Sequence, residues 1–134
     1  MNSVGTNLVA LVGRFLISLI FIGSGLSKIF TFSATAAYIA SKGLPVPEVL
    51  ATVAAGLELL GGIFIVVGYR VKSAAFALAI FTLVTAVLFH NFWAAPIDQL
   101  AIQQIMFLKN MSIAGGLILV ATSGLGSWTL EQNS

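Results

Sequence analysis

The sequence contains no cysteine and only one histidine, His90, among its 134 residues. Without thiols, the chain cannot form disulfides, thiolate nucleophiles, cysteine-ligated zinc sites or iron–sulfur clusters. With a single histidine, one chain cannot hold a haem between two of its own histidines. We therefore expect no metal site, and no haem, iron–sulfur or zinc cofactor.

Charge is also scarce, because only 7% of the residues are charged while 59% are hydrophobic. Soluble domains carry about 25% charged residues, so a soluble fold of this size would expose large apolar patches. The formal net charge of +2 is spread along the chain, which argues against a nucleic-acid surface. The composition indicates an integral membrane protein whose main partner is the lipid bilayer.

Long hydrophobic runs, in contrast, are abundant. A membrane-spanning helix needs roughly 20 mostly apolar residues, and four stretches qualify, at about residues 7–29, 47–69, 73–92 and 103–125. The connections are short, so consecutive helices should lie antiparallel and close together. The sequence predicts an all-α membrane protein, an antiparallel four-transmembrane-helix bundle, with residues 1–134 as a single membrane domain.

One short additional helix fits between the first two spans. Ser33 is a suitable N-cap for it, and Gly43 follows its expected C-terminus. Tyr38 and Ile39 indicate that it is interfacial and lies on the membrane surface. Pro47 is expected to begin the second span, because proline is tolerated in the first helical turn.

An even number of spans places both termini on one side of the membrane, here termed side A, with side B opposite. The basic residues divide almost evenly: Arg14, Arg70 and Lys72 towards side A, and Lys28, Lys42 and Lys109 towards side B. Cytoplasmic loops are enriched in lysine and arginine. We expect side A, with its very short basic loop, to face the cytoplasm.

Three charged residues, Arg14, Glu58 and Lys109, fall inside apolar spans. A charge at the bilayer centre costs at least about 2.5–3.5 kcal/mol, so such residues normally face the bundle interior and pair. At about 1.5 Å per residue from side A, they lie about 10, 16 and 20–24 Å deep respectively. We predict a buried charge cluster in which Glu58 contacts Arg14, Lys109 or both.

This cluster permits two interpretations. One anion between two cations leaves a positive surplus for an anionic or electron-rich ligand, unless backbone carbonyls or deprotonation of Lys109 relieve it. Alternatively, the charges only fix helix register. In the first span, residues spaced alternately three and four positions apart form a packing seam on one helix face, which is typical of a left-handed bundle. Its members are Asn7, Leu11, Arg14, Ser18, Phe21, Gly25 and Lys28.

A second polar group gathers near side B. It comprises Lys28, His90, Asn91, Trp93, Asp98, Gln103 and Gln104. A lone interfacial histidine is more often a solvated or hydrogen-bonded residue than a ligand, but the clustering suggests a polar path from side B towards Glu58. The candidate ligand-binding residues are Lys28, His90, Trp93 and Gln104, with the aromatic residues Phe21, Phe89 and Phe107.

Several short motifs occur in a characteristic order. They are Gly13-Arg14-Phe15-Leu16, Gly25-Leu26-Ser27-Lys28, Gly43-Leu44-Pro45, Glu58-Leu59-Leu60-Gly61-Gly62, His90-Asn91-Phe92-Trp93 and Phe107-Leu108-Lys109-Asn110. Their order and spacing resemble the DoxX family of small bacterial membrane proteins over nearly the whole chain. The family usually has aspartate after this histidine, where this chain has Asn91, so a role needing a carboxylate there is in doubt.

The resemblance implies a multi-pass protein of the bacterial inner membrane. Some relatives are small subunits of membrane oxidoreductases that pass electrons to quinone, and others belong to oxidative-stress complexes. The first hypothesis is therefore a quinone-site or anchor subunit of a redox complex, with electrons from a partner protein or bound cofactor. The alternatives are a small transporter or channel component acting as a homo-oligomer, and a structural or assembly protein without catalysis.

Overall fold

Four long helices dominate the computed structural model, which describes residues 3–123, 126 and 128–130. Within these residues the helices are α1 (Ser3–Phe30), α2 (Phe32–Ser41), α3 (Pro47–Val67), α4 (Val71–Phe89) and α5 (Ile97–Thr122), with a 3-10 turn at Phe92–Ala94. All except α2 belong to segments long and apolar enough to cross a membrane, the third of which runs from Val71 through the turn to Ala94. The predicted all-α architecture with four spans is confirmed.

The start of the fourth span differs most from the sequence prediction. Helix α5 begins at Ile97, directly after Pro96, six residues before the expected start at residue 103. Asp98, Gln103 and Gln104 lower the hydropathy of this stretch without interrupting the helix, so the apolar run marks only the membrane segment. Pro96 marks the helix start, where the sequence also predicts that this helix begins, outside the membrane. The expected end at residue 125 lies outside the described residues.

Helix α2 also starts earlier than expected. Its N-cap position is Thr31, which makes no side-chain capping bond, and Ser33 lies within the helix. Gly43 follows the helix in the left-handed region at φ 74°, where glycine is favoured. Ala36 and Ile39 are buried and form a small core with Ala51 of α3, so α2 packs against the bundle.

Small residues set the close approach of α1 and α3. A Cβ atom on Gly25 would lie 2.8 Å from the backbone nitrogen of Leu59, and one on Gly62 would lie 2.8 Å from Cγ1 of Ile22. Such contacts are typical of membrane helices, where packing replaces the hydrophobic effect as the driving force. Because α1 and α3 are antiparallel, these contacts also place Gly25 at the depth of residues 55–59.

The side A half of the bundle has a filled core. Phe21, Ile65, Leu78 and Leu117 are all buried there, one from each spanning helix. Helix α5 meets α1 near Gly116, where an added Cβ atom would lie 3.2 Å from Ile17. Towards side B the helices diverge around a cavity.

Residues after α5 close the side A end. The carbonyl of Trp128 accepts a hydrogen bond of 2.6 Å from Nη2 of Arg14, and the amide of Leu130 donates to the carbonyl of Val67 at 3.2 Å. This segment therefore covers the C-terminal end of α3 and brings both ends of the described chain to one end of the bundle.

Candidate functional site

A cavity of about 760 Å³ occupies the side B half of the bundle. All five helices contribute to its wall, and most of that wall is apolar. Small-molecule sites typically have volumes of about 300–1,000 Å³, with few polar groups in an apolar lining. The cavity therefore has the size and character of a site for an apolar ligand with a polar head.

An ion pair forms the polar part of this wall. Nζ of Lys28 lies 2.8 Å from Oε2 of Glu58, and their side chains are 25% and 8% exposed respectively. This approach is a close charge contact, although its direction does not satisfy hydrogen-bond geometry at Oε2. Two charges removed from water are tolerated only when they compensate each other, and here the lysine and the carboxylate do so within the cavity wall.

Ser24 joins the two members of the pair. Its hydroxyl oxygen accepts a bond of 2.6 Å from Nζ of Lys28, and the same hydroxyl donates to Oε1 of Glu58 at 3.3 Å. Ser24 stands four residues before Lys28 on α1, which places both on one helix face. That spacing was the available sequence signal for this contact, which the sequence analysis missed.

The predicted cluster of Arg14, Glu58 and Lys109 does not form. Arg14 lies beside Gly68, where an added Cβ atom would clash with the guanidinium. Gly68 follows Glu58 by ten residues, about 15 Å of helix. Lys109 is exposed on α5. The cation that reaches Glu58 is Lys28, which lies on the same seam of α1 as Arg14 but nearer to side B.

Arg14 lies at the side A end of the bundle, which the residues after α5 cover. The residue is 3% exposed and contacts the C-terminal end of α3, where unpaired carbonyls give the helix a negative partial charge that favours a cation. Among the described residues, its Nε and Nη1 atoms and the hydroxyl of Ser18 have no hydrogen-bond partner. The charge of Arg14 therefore stabilises the side A end of the bundle and lies far from the cavity.

His90 lines the cavity at its side B end. Its Nδ1 atom lies 3.0 Å from Oε1 of Gln103. An amide oxygen can only accept, so Nδ1 donates in this contact. The second ring nitrogen, Nε2, is left for a ligand and can accept a hydrogen bond from a ligand hydroxyl when it carries no proton.

The seven candidate ligand-binding residues separate into two groups. Lys28, His90, Phe21 and Phe89 line the cavity. Trp93 and Phe107 instead pack against each other at 5.7 Å between ring centroids, each also contacting Phe92, and Gln104 is exposed. Neighbouring helix positions point about 100° apart, so Gln103 meets His90 while Gln104 turns away.

Further polar residues complete the lining. Thr82 and Thr85 donate their hydroxyl protons to carbonyls of their own helix, at 2.7 Å and 3.0 Å, which leaves their oxygen lone pairs towards the cavity. Asn110 adds an amide from α5. Within the described part of the chain, histidine and acidic side chains do not gather in groups of three or more.

These features define a class: a small multi-pass membrane protein whose four spans enclose a ligand-sized cavity with an ion pair in its wall. The chain belongs to the DoxX family, whose model matches residues 9–91. It is a DoxX-family inner-membrane protein, as the names of its bacterial relatives also indicate.

Two relatives from Escherichia coli K12 match nearly end to end. The chain is 37% identical to "Inner membrane protein YphA" over 122 residues, 91% of this chain and 87% of that protein. It is 35% identical to "Inner membrane protein YqjF" over 125 residues, 91% of this chain and 88% of that protein.

A more distant likeness is to "ER-derived vesicles protein ERV29" of Saccharomyces cerevisiae. That match has 28% identity over 76 residues, 57% of this chain and 24% of the yeast protein. No solved structure matches.

Proposed function

We propose that the cavity binds the head group of a quinone, and that the protein is a quinone-site subunit of a membrane redox complex. The observation that carries the proposal is the placement of a partly buried lysine–glutamate pair and a histidine in the wall of an otherwise apolar cavity within the membrane-spanning helices. A quinone has the matching chemistry, a polar ring on an apolar tail.

The hydrogen-bonding groups suit both redox forms of such a ligand. Lys28 has three donors and uses two directions, towards Ser24 and Glu58, so the third can reach a quinone carbonyl oxygen. Nε2 of His90 can accept from a quinol hydroxyl. The site thus offers a donor for the oxidised ring and an acceptor for the reduced ring.

Electrons must come from outside the cavity wall. Converting a quinone to a quinol takes two electrons and two protons, and the lining side chains carry no redox group. A partner protein or bound cofactor would supply the electrons, and this chain would hold the ring. The role of an anchor subunit is compatible with the same assembly.

Transport is the second candidate function. A transporter would need a route past the side A half, where Phe21, Ile65, Leu78 and Leu117 fill the core. Within the described residues, the cavity is therefore closed towards side A, which favours ligand binding over conduction. A purely structural role would not account for the presence of the cavity.

Equilibrium binding of decylubiquinone to the purified full chain in nanodiscs tests the proposal. The double variant Phe89→Ala, His90→Ala removes one aromatic contact and one hydrogen bond, together worth about 1–3 kcal/mol. We expect its Kd to rise by about tenfold or more. Trp93→Ala is the matched control, because this aromatic residue lies outside the cavity lining, and its Kd should change by less than about twofold.

Equal weakening by both variants would contradict binding in this cavity, and so would the absence of any binding by the parent chain. Thermal unfolding of each variant in the same nanodiscs confirms that the comparison is made on folded protein.

A further inference from the structure

Helices α4 and α5 have a register that places Lys109 at the level of the cavity. Gln103 contacts His90, so antiparallel counting puts Lys109, six residues further along α5, beside Val84, six residues back along α4. Val84 lines the cavity, and so does Asn110, the neighbour of Lys109. Lys109 is therefore at the depth of the cavity.

The same residue lies on the side of α5 that faces α1. Lys109, Ile113 and Gly116 follow the i, i+4, i+7 spacing of one helix face. Ile113 lines the cavity and Gly116 lies against Ile17 of α1. Lys109 is exposed, while Ile113 and Gly116 are partly buried. Lys109 therefore lies where α5 diverges from α1, near the edge of the cavity.

At the depth of the cavity, the charged side chains are Lys28, Glu58 and Lys109, because Glu48 and Asp98 lie further out, in the first turns of α3 and α5. Glu58 is fully engaged by Lys28 and Ser24, and Lys109 has no ion-pair partner among the described residues. Lys28 in the cavity wall and Lys109 at the same depth on α5 thus stand against one carboxylate, Glu58, and the low-dielectric surroundings strengthen the attraction of this surplus for an anion.

The ammonium group of Lys109 can reach towards the cavity. Side chains on a helix lean towards its N-terminus, which for α5 is the side B end, where the cavity lies. The aliphatic part of a lysine side chain can also lie along an apolar surface while the ammonium group contacts a polar group.

We infer that the cavity prefers a ligand with a negatively charged head, and that Lys109 sets this preference. The inference rests on the proposed quinone site and specifies its ligand: an acidic hydroxyquinone, deprotonated at neutral pH, whose anionic oxygen interacts with Lys109 while its ring lies against the Lys28–Glu58 pair. The neutral quinone of the same shape is the weaker ligand.

Two probes separate charge from shape. 2-Hydroxy-1,4-naphthoquinone is an anion at neutral pH, and 2-methoxy-1,4-naphthoquinone is its uncharged counterpart. Their equilibrium binding is measured on the purified full chain in nanodiscs of zwitterionic lipid, so that surface charge contributes little. We expect the hydroxy compound to bind about tenfold more tightly.

Lys109→Met should reduce that preference to about twofold or less, with the affinity for the methoxy compound unchanged. Lys109→Arg should keep the preference, because it keeps the charge. Lys72→Met is the control: this lysine is also exposed, but it begins α4 at side A, far from the cavity, and its loss should leave the preference intact.

A preference that persists in Lys109→Met would overturn the inference and place the Lys109 ammonium at the membrane surface. Equal affinity of the parent chain for the two probes would overturn it as well, while leaving the quinone site standing. If neither probe nor decylubiquinone binds, the proposed function itself fails.

Discussion

Glu58→Ala is expected to lower the free energy of unfolding by about 3 kcal/mol, because it leaves the Lys28 ammonium in the bundle without its counter-charge. Breaking a buried pair costs about 3–5 kcal/mol. The low end applies here, since the Lys28 side chain is 25% exposed to the cavity. Reversible unfolding in mixed micelles measures the change.

A double-mutant cycle identifies the partner of Glu58. Lys28→Ala combined with Glu58→Ala should cost less than the sum of the single changes, with a coupling energy of about 1–3 kcal/mol. Arg14→Ala combined with Glu58→Ala is the matched control and should be additive within about 0.5 kcal/mol. Coupling to Arg14 in place of Lys28 would contradict the observed pairing and restore the one expected from the sequence.

Gly25→Ala is the second substitution for which we expect a large effect. The added Cβ atom would lie 2.8 Å from the backbone nitrogen of Leu59 and 3.1 Å from the carbonyl oxygen of Ala55. Backbone atoms of α3 cannot rotate away, so α1 and α3 must separate. Overpacking of this kind costs about 1–3 kcal/mol, measured by the same unfolding assay.

Gly23→Ala provides a control of opposite sign. Nothing lies within 4 Å of a Cβ atom at Gly23, and replacing a helical glycine by alanine favours the helix by about 1 kcal/mol. Destabilisation by both substitutions, or by neither, would show that α1 and α3 do not meet at Gly25.

Hydropathy was sufficient to predict the four spans, because a bilayer requires long apolar helices and the chain has four such runs. The packing seam on α1 was equally accessible: Arg14, Ser18, Phe21 and Gly25 are all buried. Periodicity identifies the inward face of a helix from the sequence alone, since the positions three and four residues apart repeat along it.

The partner of Glu58 was not accessible in the same way. Arg14 and Lys28 lie on the same seam, so periodicity cannot choose between them, and the choice depends on how far α1 slides along α3. Span ends read from hydropathy are uncertain by a few residues, each worth about 1.5 Å. The contact of Gly25 with Leu59 sets that register, and it is a property of packing between helices.

The division of the ligand candidates has a related cause. Gln103 and Gln104 are chemically identical neighbours, and only the rotation of α5 about its axis decides which one meets His90. Trp93 and Phe107 were grouped with the cavity because they lie near side B in the sequence, yet edge-to-face packing against Phe92 places them in a separate aromatic cluster.

The central claim is that a quinone head group occupies the cavity beside Lys28 and Glu58, and photoaffinity labelling tests it most directly. An azido-quinone is bound to the full chain in membranes, photolysed, and its attachment sites are mapped by mass spectrometry. We expect labels on cavity residues such as Thr85 and Asn110, which excess decylubiquinone prevents. Labels confined to Trp93 or Phe107, or labels that decylubiquinone does not reduce, would contradict the claim.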